Sequence, residues 1–410
     1  MADTASKHID MTTGSLWRNI PLFAFPVAAT SILEQLSNLI ATVIIGNFSG
    51  DQGTLAMAAV GSNVPLTSLM LNLFIGMSLG SNVVIANAIG RNDQNMVKRA
   101  VHTSILMALV GFVVIALGEI FAEPMLAALN VPAETMPLAS LYLRVFLLSM
   151  PSILLYNFEA AIFRSVGITR MPLQALAVST VLNIGLDLIF VPILHWGVAG
   201  AAIATVAAQL ISTLGCFLYA FLKYPELRLH REDWRITRRD VTRHLIQGIP
   251  LGLQFSVLAI GIIVMQSVIV QFDTLGGEMV SNAAQNGFGA ANKLNNLLMT
   301  PLNGLGAAMT SFTAQNLGAG DHARIKKGTV QALIIVWTMC LISIAAGLLL
   351  SRGGGYLYIF LSPDKVTAET MRYGNTYLYV DLSLYLFLGF IFVVRNCVQG
   401  IGKPQFVLGA

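Results

Sequence analysis

Asp187 is a carboxylate set inside residues 178–209, a stretch otherwise apolar enough to cross a bilayer. Asn183 lies four residues earlier, on the same helical face. An acid in hydrocarbon is costly, and such residues mark ion or substrate pathways. Burial disfavours the charged form of a carboxylate. A group protonated in one conformation and ionised in another carries a proton. With Asn183 and backbone carbonyls, the same oxygens suit Na⁺. The structural alternative is a satisfied hydrogen bond between two helices. Glu34, with Gln35 and Asn38 beside it, is a second acid in an apolar run. It is read either as a partner for Asp187 or as a group bonded to a neighbouring helix.

Other polar groups are scattered through apolar runs: Asn157, Glu159, Gln254, Gln266, Gln271 and Asp381. Glu159 is also placed to pair with Arg164 about one turn on, and Lys293 is read as a snorkelling side chain. Cys216, Cys340 and Cys397 stand alone, without metal-ligand or redox spacing, so no metal site is expected. The chain holds no intramembrane His-Glu-x-x-His, no paired aspartates and no Gly-x-Ser-x-Gly elbow, which argues against an enzyme. No cofactor is expected beyond H⁺ or Na⁺ as a coupling ion.

The elements that hold these residues follow from composition. Of 410 residues, 55% are hydrophobic and 11% charged, against about 25% charged in a soluble domain. Apolar runs of about 20 residues, each enough to span a bilayer, recur throughout. The fold class is therefore all-α polytopic membrane protein, with ten helices at roughly 17–46, 56–89, 99–119, 135–167, 172–194, 198–223, 244–274, 283–317, 328–350 and 370–400. Residues 1–16 form a polar tail without signal-peptide character. Lys and Arg collect after the even-numbered helices, most densely in the linker 224–243, whereas the intervening loops are nearly bare except for the ninth. That bias places the N-terminus in the cytoplasm of a multi-pass plasma-membrane protein. The net charge of +4 follows from this asymmetry and does not point to nucleic acid.

An internal repeat crosses the linker. At an offset of 228, Gly76 falls on Gly304, Gly90 on Gly318 and Asp93 on Asp321; at 235, Gly167 falls on Gly402. Pro26 is matched by Pro250. Each half begins on the same side, so the repeats are parallel, an architecture of secondary transporters. The domains expected are a six-helix bundle over 17–223 and a second bundle over 244–410. The second holds four helices, so two are read as missing through C-terminal truncation.

With the repeat in place, the chain resembles the MATE (multidrug and toxic compound extrusion) family. The resemblance rests on IGNFSGDQGTLAMAAVG (45–61), GMSLGSNVVIANAIGRND (76–93), FRSVG…P (163–172), NIGLDLIF with GVAGAAIATVAAQ (183–209) and SFTAQNLGAGD (311–321). It implies two six-helix bundles forming a V around a central cavity. It also implies alternating-access export of amphipathic, often cationic compounds, exchanged for H⁺ or Na⁺ by a monomer in the bilayer. The cavity candidates are Gln35, Asn38, Asn157, Glu159, Gln254 and Gln266; Asp187, Asn183 and Glu34 are the cation-coupling candidates. Two departures stand out. Ala41 occupies the position where many members carry an Asp in helix 1, with Glu34 about 10 Å away along the axis. No mid-membrane acid is read in helices 7 or 10, Asp381 being placed near the outer end of helix 10. The alternatives are a flippase for lipid-linked or other amphiphiles and a truncated, non-transporting remnant.

Overall fold

A computed structural model describes residues 9–48, 53–129, 131–224, 231–275, 278–279, 281–361 and 363–409. The first half of the chain forms α1 (Leu16–Phe48), α2 (Gly53–Gly90), α3 (Gln94–Ile120), the short α4 (Ala122–Ala128), α5 (Met136–Ser165), α6 (Arg170–Phe190) and α7 (Gly197–Lys223). The second forms α8 (Arg238–Val270), α9 (Ala283–Ala319), α10 (His322–Ser351), the short α11 (Leu357–Phe360), α12 (Ala368–Ser383), α13 (Tyr385–Gly400) and α14 (Pro404–Gly409). A two-residue hairpin, Thr274–Leu275 with Glu278–Met279, is the one sheet among the described residues. The chain is an all-helical integral membrane protein, as its composition indicates.

Helix starts differ from the apolar runs in a regular way. α3 begins at Gln94, where the Asp93 side chain accepts from the Met96 N–H, and α10 begins at His322, where Asp321 accepts from Arg324. α8 begins at Arg238 behind a capping box of Thr237 and Asp240. Apolarity marks the hydrocarbon layer, but these three helices start five or six residues earlier, in a charged turn capped by a side chain. The linker 224–243 is therefore partly α8. Its 3-10 turn, Arg231–Trp234, sets Trp234 edge-on against His102 at 5.2 Å. The tenth apolar run is two helices, α12 and α13, bent by 53° at Leu384.

The two halves interlock. α1 packs on α6 of its own half and on α9 of the other; α2 packs on α5 and on α8. Small residues permit these crossings: Gly76 and Gly80 lie against Gly252 and Gly248, and Gly304 lies against Ala24 and Ala28. Without a hydrophobic drive between helices in lipid, such close backbone approach supplies the packing energy.

The repeat is visible as paired contacts. Gly90 rests on the Gln315 backbone, and Gly318 rests on that of Asn87. Gly167 and Gly402 turn the chain with φ of 86° and 83°, a region open to glycine. The seam between the halves is polar at the end bearing the charged linker. Asn82 donates to the Ala161 carbonyl at 3.0 Å and accepts from Ser311 at 3.0 Å. Gln315 donates to the Ser165 carbonyl at 2.7 Å, and Asn87 to that of Ala314 at 3.3 Å. The segment before α1 spans the same seam. The Ile9 N–H donates to Gly167 O, whereas Met11 O accepts from Asn316 and Arg324 of the second half.

Candidate functional site

Asp187 and Asn183 lie one turn apart on the buried face of α6, and Asp187 is fully buried. Asn183 ties three helices together. Its Oδ1 accepts from Ser37 Oγ of α1 at 3.4 Å, and its Nδ2 donates to Thr205 Oγ1 of α7 at 3.3 Å. Thr205 is held in turn by donation to the Ala201 carbonyl at 3.0 Å. The approach of α7 follows from its small residues: Gly200 sits against Phe190 and Trp196. Neither carboxylate oxygen of Asp187 has a hydrogen-bond partner among the described residues. A buried acceptor without a donor costs about 1–3 kcal/mol, more if charged. The carboxylate is thus left with open acceptor sites, one helical turn from Asn183 and its partner Thr205. The side chains of Asn38 and Ala41, which follow Ser37 on α1, lie outside the described residues.

Glu34 occupies a different pocket. It shares a small cavity with Val27, Thr30, Tyr156, Asn157, Arg164 and Thr169, among others; Asp187 is absent from its lining. Glu34 is itself exposed, and the Arg164 guanidinium acts on it electrostatically. Arg164 is in the last turn of α5, where its Nε donates to the Ala160 carbonyl at 3.1 Å. Asn157 donates to the Ile153 carbonyl at 2.8 Å. Gln35 is exposed on α1.

Glu159 does not share this pocket. It is 5% exposed and lies towards Cys216 of α7, and both its carboxylate oxygens lack partners among the described residues. Its expected pairing with Arg164 is absent among the described ion pairs, because a five-residue separation turns the two away from each other. Gln254 accepts from Gln399 of α13 at 3.2 Å, whereas Gln266 and Gln271 are exposed. Lys293 lies over the Phe360 ring at 6.0 Å.

The second half holds a polar cluster that the sequence did not reveal. Asp381 is in the last turn of α12, beside the 53° bend. Its electrostatic neighbours are Tyr377 and Tyr385, and its Oδ2 is buried without a partner among the described residues. Tyr385 donates to Asn295 of α9. Three residues central to this geometry, Thr205, Arg164 and Asn295, were not singled out as site residues in the sequence. Only Thr205 left a trace, as the one hydroxyl among the alanines of 199–208.

Comparison with known proteins adds an independent line. The family described as MatE matches residues 26–189 and 254–410, most of the chain. The chain is 28% identical to a Bacillus subtilis protein named "Probable multidrug resistance protein YpnP", over 98% of this chain and 86% of that one. It is 26% identical to a Shewanella oneidensis "FAD transporter", over 76% of this chain and 70% of the relative. Among solved structures it is similar to an outward-facing multidrug resistance MATE family transporter of the MOP superfamily. The TM-score is 0.88 at 23% identity, covering 99% of this chain and 87% of that one.

Proposed function

This chain belongs to the MatE family of membrane transporters, and on that premise we propose that it is a secondary antiporter. It exports amphipathic, cationic compounds in exchange for H⁺ or Na⁺ through the plasma membrane, with its linker and N-terminus in the cytoplasm, as a monomer. The observation that carries this reading is Asp187, fully buried in α6, both oxygens without a described partner, beside Asn183 and Thr205. Cation and substrate must favour different conformations for exchange to be coupled. Loading Asp187 removes the penalty of an orphaned carboxylate in one state and not in the other. The polar seam at the linker end supports a cycle in which that end opens and closes.

The test is dye efflux from vesicles under a proton gradient and a sodium gradient separately, for the parent and Asp187→Asn. Asn preserves shape and removes the exchangeable charge, so uphill efflux is expected to fall at least about tenfold, with binding retained. Wild-type uphill rates in the Asn variant would defeat the assignment.

A second reading, export of an anionic amphiphile, is favoured by similarity to the protein named an FAD transporter. Running the same assay with a flavin beside a cationic dye separates the two.

A further inference from the structure

A pocket lies at the linker end of the seam, apart from the Asp187 and Glu34 sites. Val83, Val84, Asn87 and Arg91 of α2 line it, with Arg243, Ile246 and Gln247 of α8; Leu317 and residues 400–402 of the second half close it. Its walls are apolar and half open, Ile246 being 54% exposed and Ile401 39%. Its polar groups are two guanidiniums, two amides and the Met96 sulfur of α3, a weak acceptor that takes a hydrogen bond from Arg243 Nη1 at 4.0 Å. Neither Arg91 nor Arg243 makes an ion pair among the described residues. Two carboxylates near in sequence are already engaged: Asp93 caps α3, and Asp240 closes the capping box of α8. The Gln247 Nε2 donates to the Gly402 carbonyl at 2.9 Å, but its Oε1 is buried without a donor among the described residues.

The repeat-related corner shows one way in which a guanidinium at the seam is satisfied, although Arg324 there stands at the repeat position of Met96. On the other side, the Gly167 carbonyl accepts from Ile9, and residues 9–14 fill the corner. There Arg324 donates to the carbonyls of Met11, Thr13 and Gly14 at 3.1, 2.7 and 3.0 Å. At the repeat-related corner Gly402 takes the place of Gly167, but no described segment offers oxygens to Arg91 and Arg243. Those arginines face a pocket with apolar walls and an acceptor amide.

We propose that this seam pocket binds the phosphate head group of an anionic phospholipid, with Arg91 and Arg243 on the phosphate, Gln247 accepting from a head-group hydroxyl, and the acyl chains against Val83, Ile246 and Ile401. Basic pockets between membrane helices on the cytoplasmic side recognise such head groups, and guanidinium forks fit phosphate oxygens bidentately. Because α2 supplies one wall and α8, α9 and α13 the other, an occupant holds the seam closed and favours that conformation.

The experiment is native mass spectrometry of the purified full chain after exchange into phosphatidylglycerol or phosphatidylcholine nanodiscs. The parent is compared with Arg91→Gln, with Arg91→Gln/Arg243→Gln, and with Arg239→Gln, an exposed arginine of the same turn outside the pocket. The parent and Arg239→Gln are expected to retain phosphatidylglycerol over phosphatidylcholine. Retention should fall about fivefold in the single variant and about 25-fold in the double. Unchanged melting temperatures and elution volumes establish that the variants fold; if the double variant does not, the single one decides. A competition arm distinguishes sources of phosphate. Retention undisturbed by millimolar inorganic phosphate supports a lipid, whereas displacement by it overturns the lipid assignment in favour of a free anion. Equal retention by the Arg91 variants and Arg239→Gln overturns the site.

Discussion

Gly318 of α9 lies directly on the Asn87 backbone of α2, with no room for a Cβ, and the repeat-related Gly90 meets Gln315 in the same way. The contact joins the two halves at the end where Asn82, Ser311 and Gln315 also bond across. Gly318→Ala must displace backbone, and overpacking of this kind costs about 1–3 kcal/mol. Gly289→Ala, in the same helix with open space around it, should instead raise stability by about 0.5–1 kcal/mol. Thermal melts in detergent are expected to show a lowered midpoint for Gly318→Ala alone.

Thr205→Val separates the two coupling ions. The substitution keeps volume but removes the hydroxyl that accepts from Asn183 at 3.3 Å. If Na⁺ sits among the oxygens of Asp187, Asn183 and Thr205, losing one ligand of about 1 kcal/mol weakens sodium-driven efflux about fivefold. Proton-driven efflux needs only Asp187 and should be unchanged. The check is the sodium concentration giving half-maximal efflux, measured beside the rate in a proton gradient.

The fold was largely legible because membrane helices announce themselves by apolarity, and the glycine pairs 90/318 and 167/402 carried the repeat. What apolarity could not show was where each helix leaves the hydrocarbon, so Asp93, Thr237 and Asp321 were read as loop residues rather than caps. The bend at Leu384 was equally hidden. The stretch Tyr379–Tyr385 holds neither Pro nor Gly, so nothing local signals that the tenth run breaks beside Asp381. Asp187 and Asn183 were found because spacing on one helix is readable. Glu34 with Arg164 was not, since their sharing a pocket depends on where α1 lies relative to α5, and placements between helices leave no spacing to read.

Glu34 and Arg164 are expected to depend on each other. Each is an unlike charge in one small pocket, and removing one leaves the other uncompensated. The pocket is small but not closed, so the effect is smaller than for a fully enclosed pair. Glu34→Gln and Arg164→Gln should each lower stability, and the double variant by less than their sum. A double-mutant cycle on thermal stability should return a coupling of about 0.5–1 kcal/mol. Strict additivity would mean that the two charges act separately.

Arg324 should govern how firmly residues 9–14 close the seam. Its guanidinium reaches three backbone carbonyls, at Met11, Thr13 and Gly14, while Ile9 on the same segment donates to Gly167 of the other half. A planar fork meets several acceptors at once, whereas a lysine ammonium is a point charge on a flexible stem. Arg324→Lys therefore retains the charge yet loses the geometry. Local opening of the segment should become easier by about 1.4 kcal/mol, the equivalent of tenfold. Hydrogen exchange at the Ile9 amide is the direct measure, because that N–H is protected only while the segment is docked. Exchange is expected about tenfold faster in Arg324→Lys, with amides in the middle of α10 unchanged. Equal exchange in parent and variant would show that Ile9 and Asn316, rather than Arg324, hold the segment across the two halves.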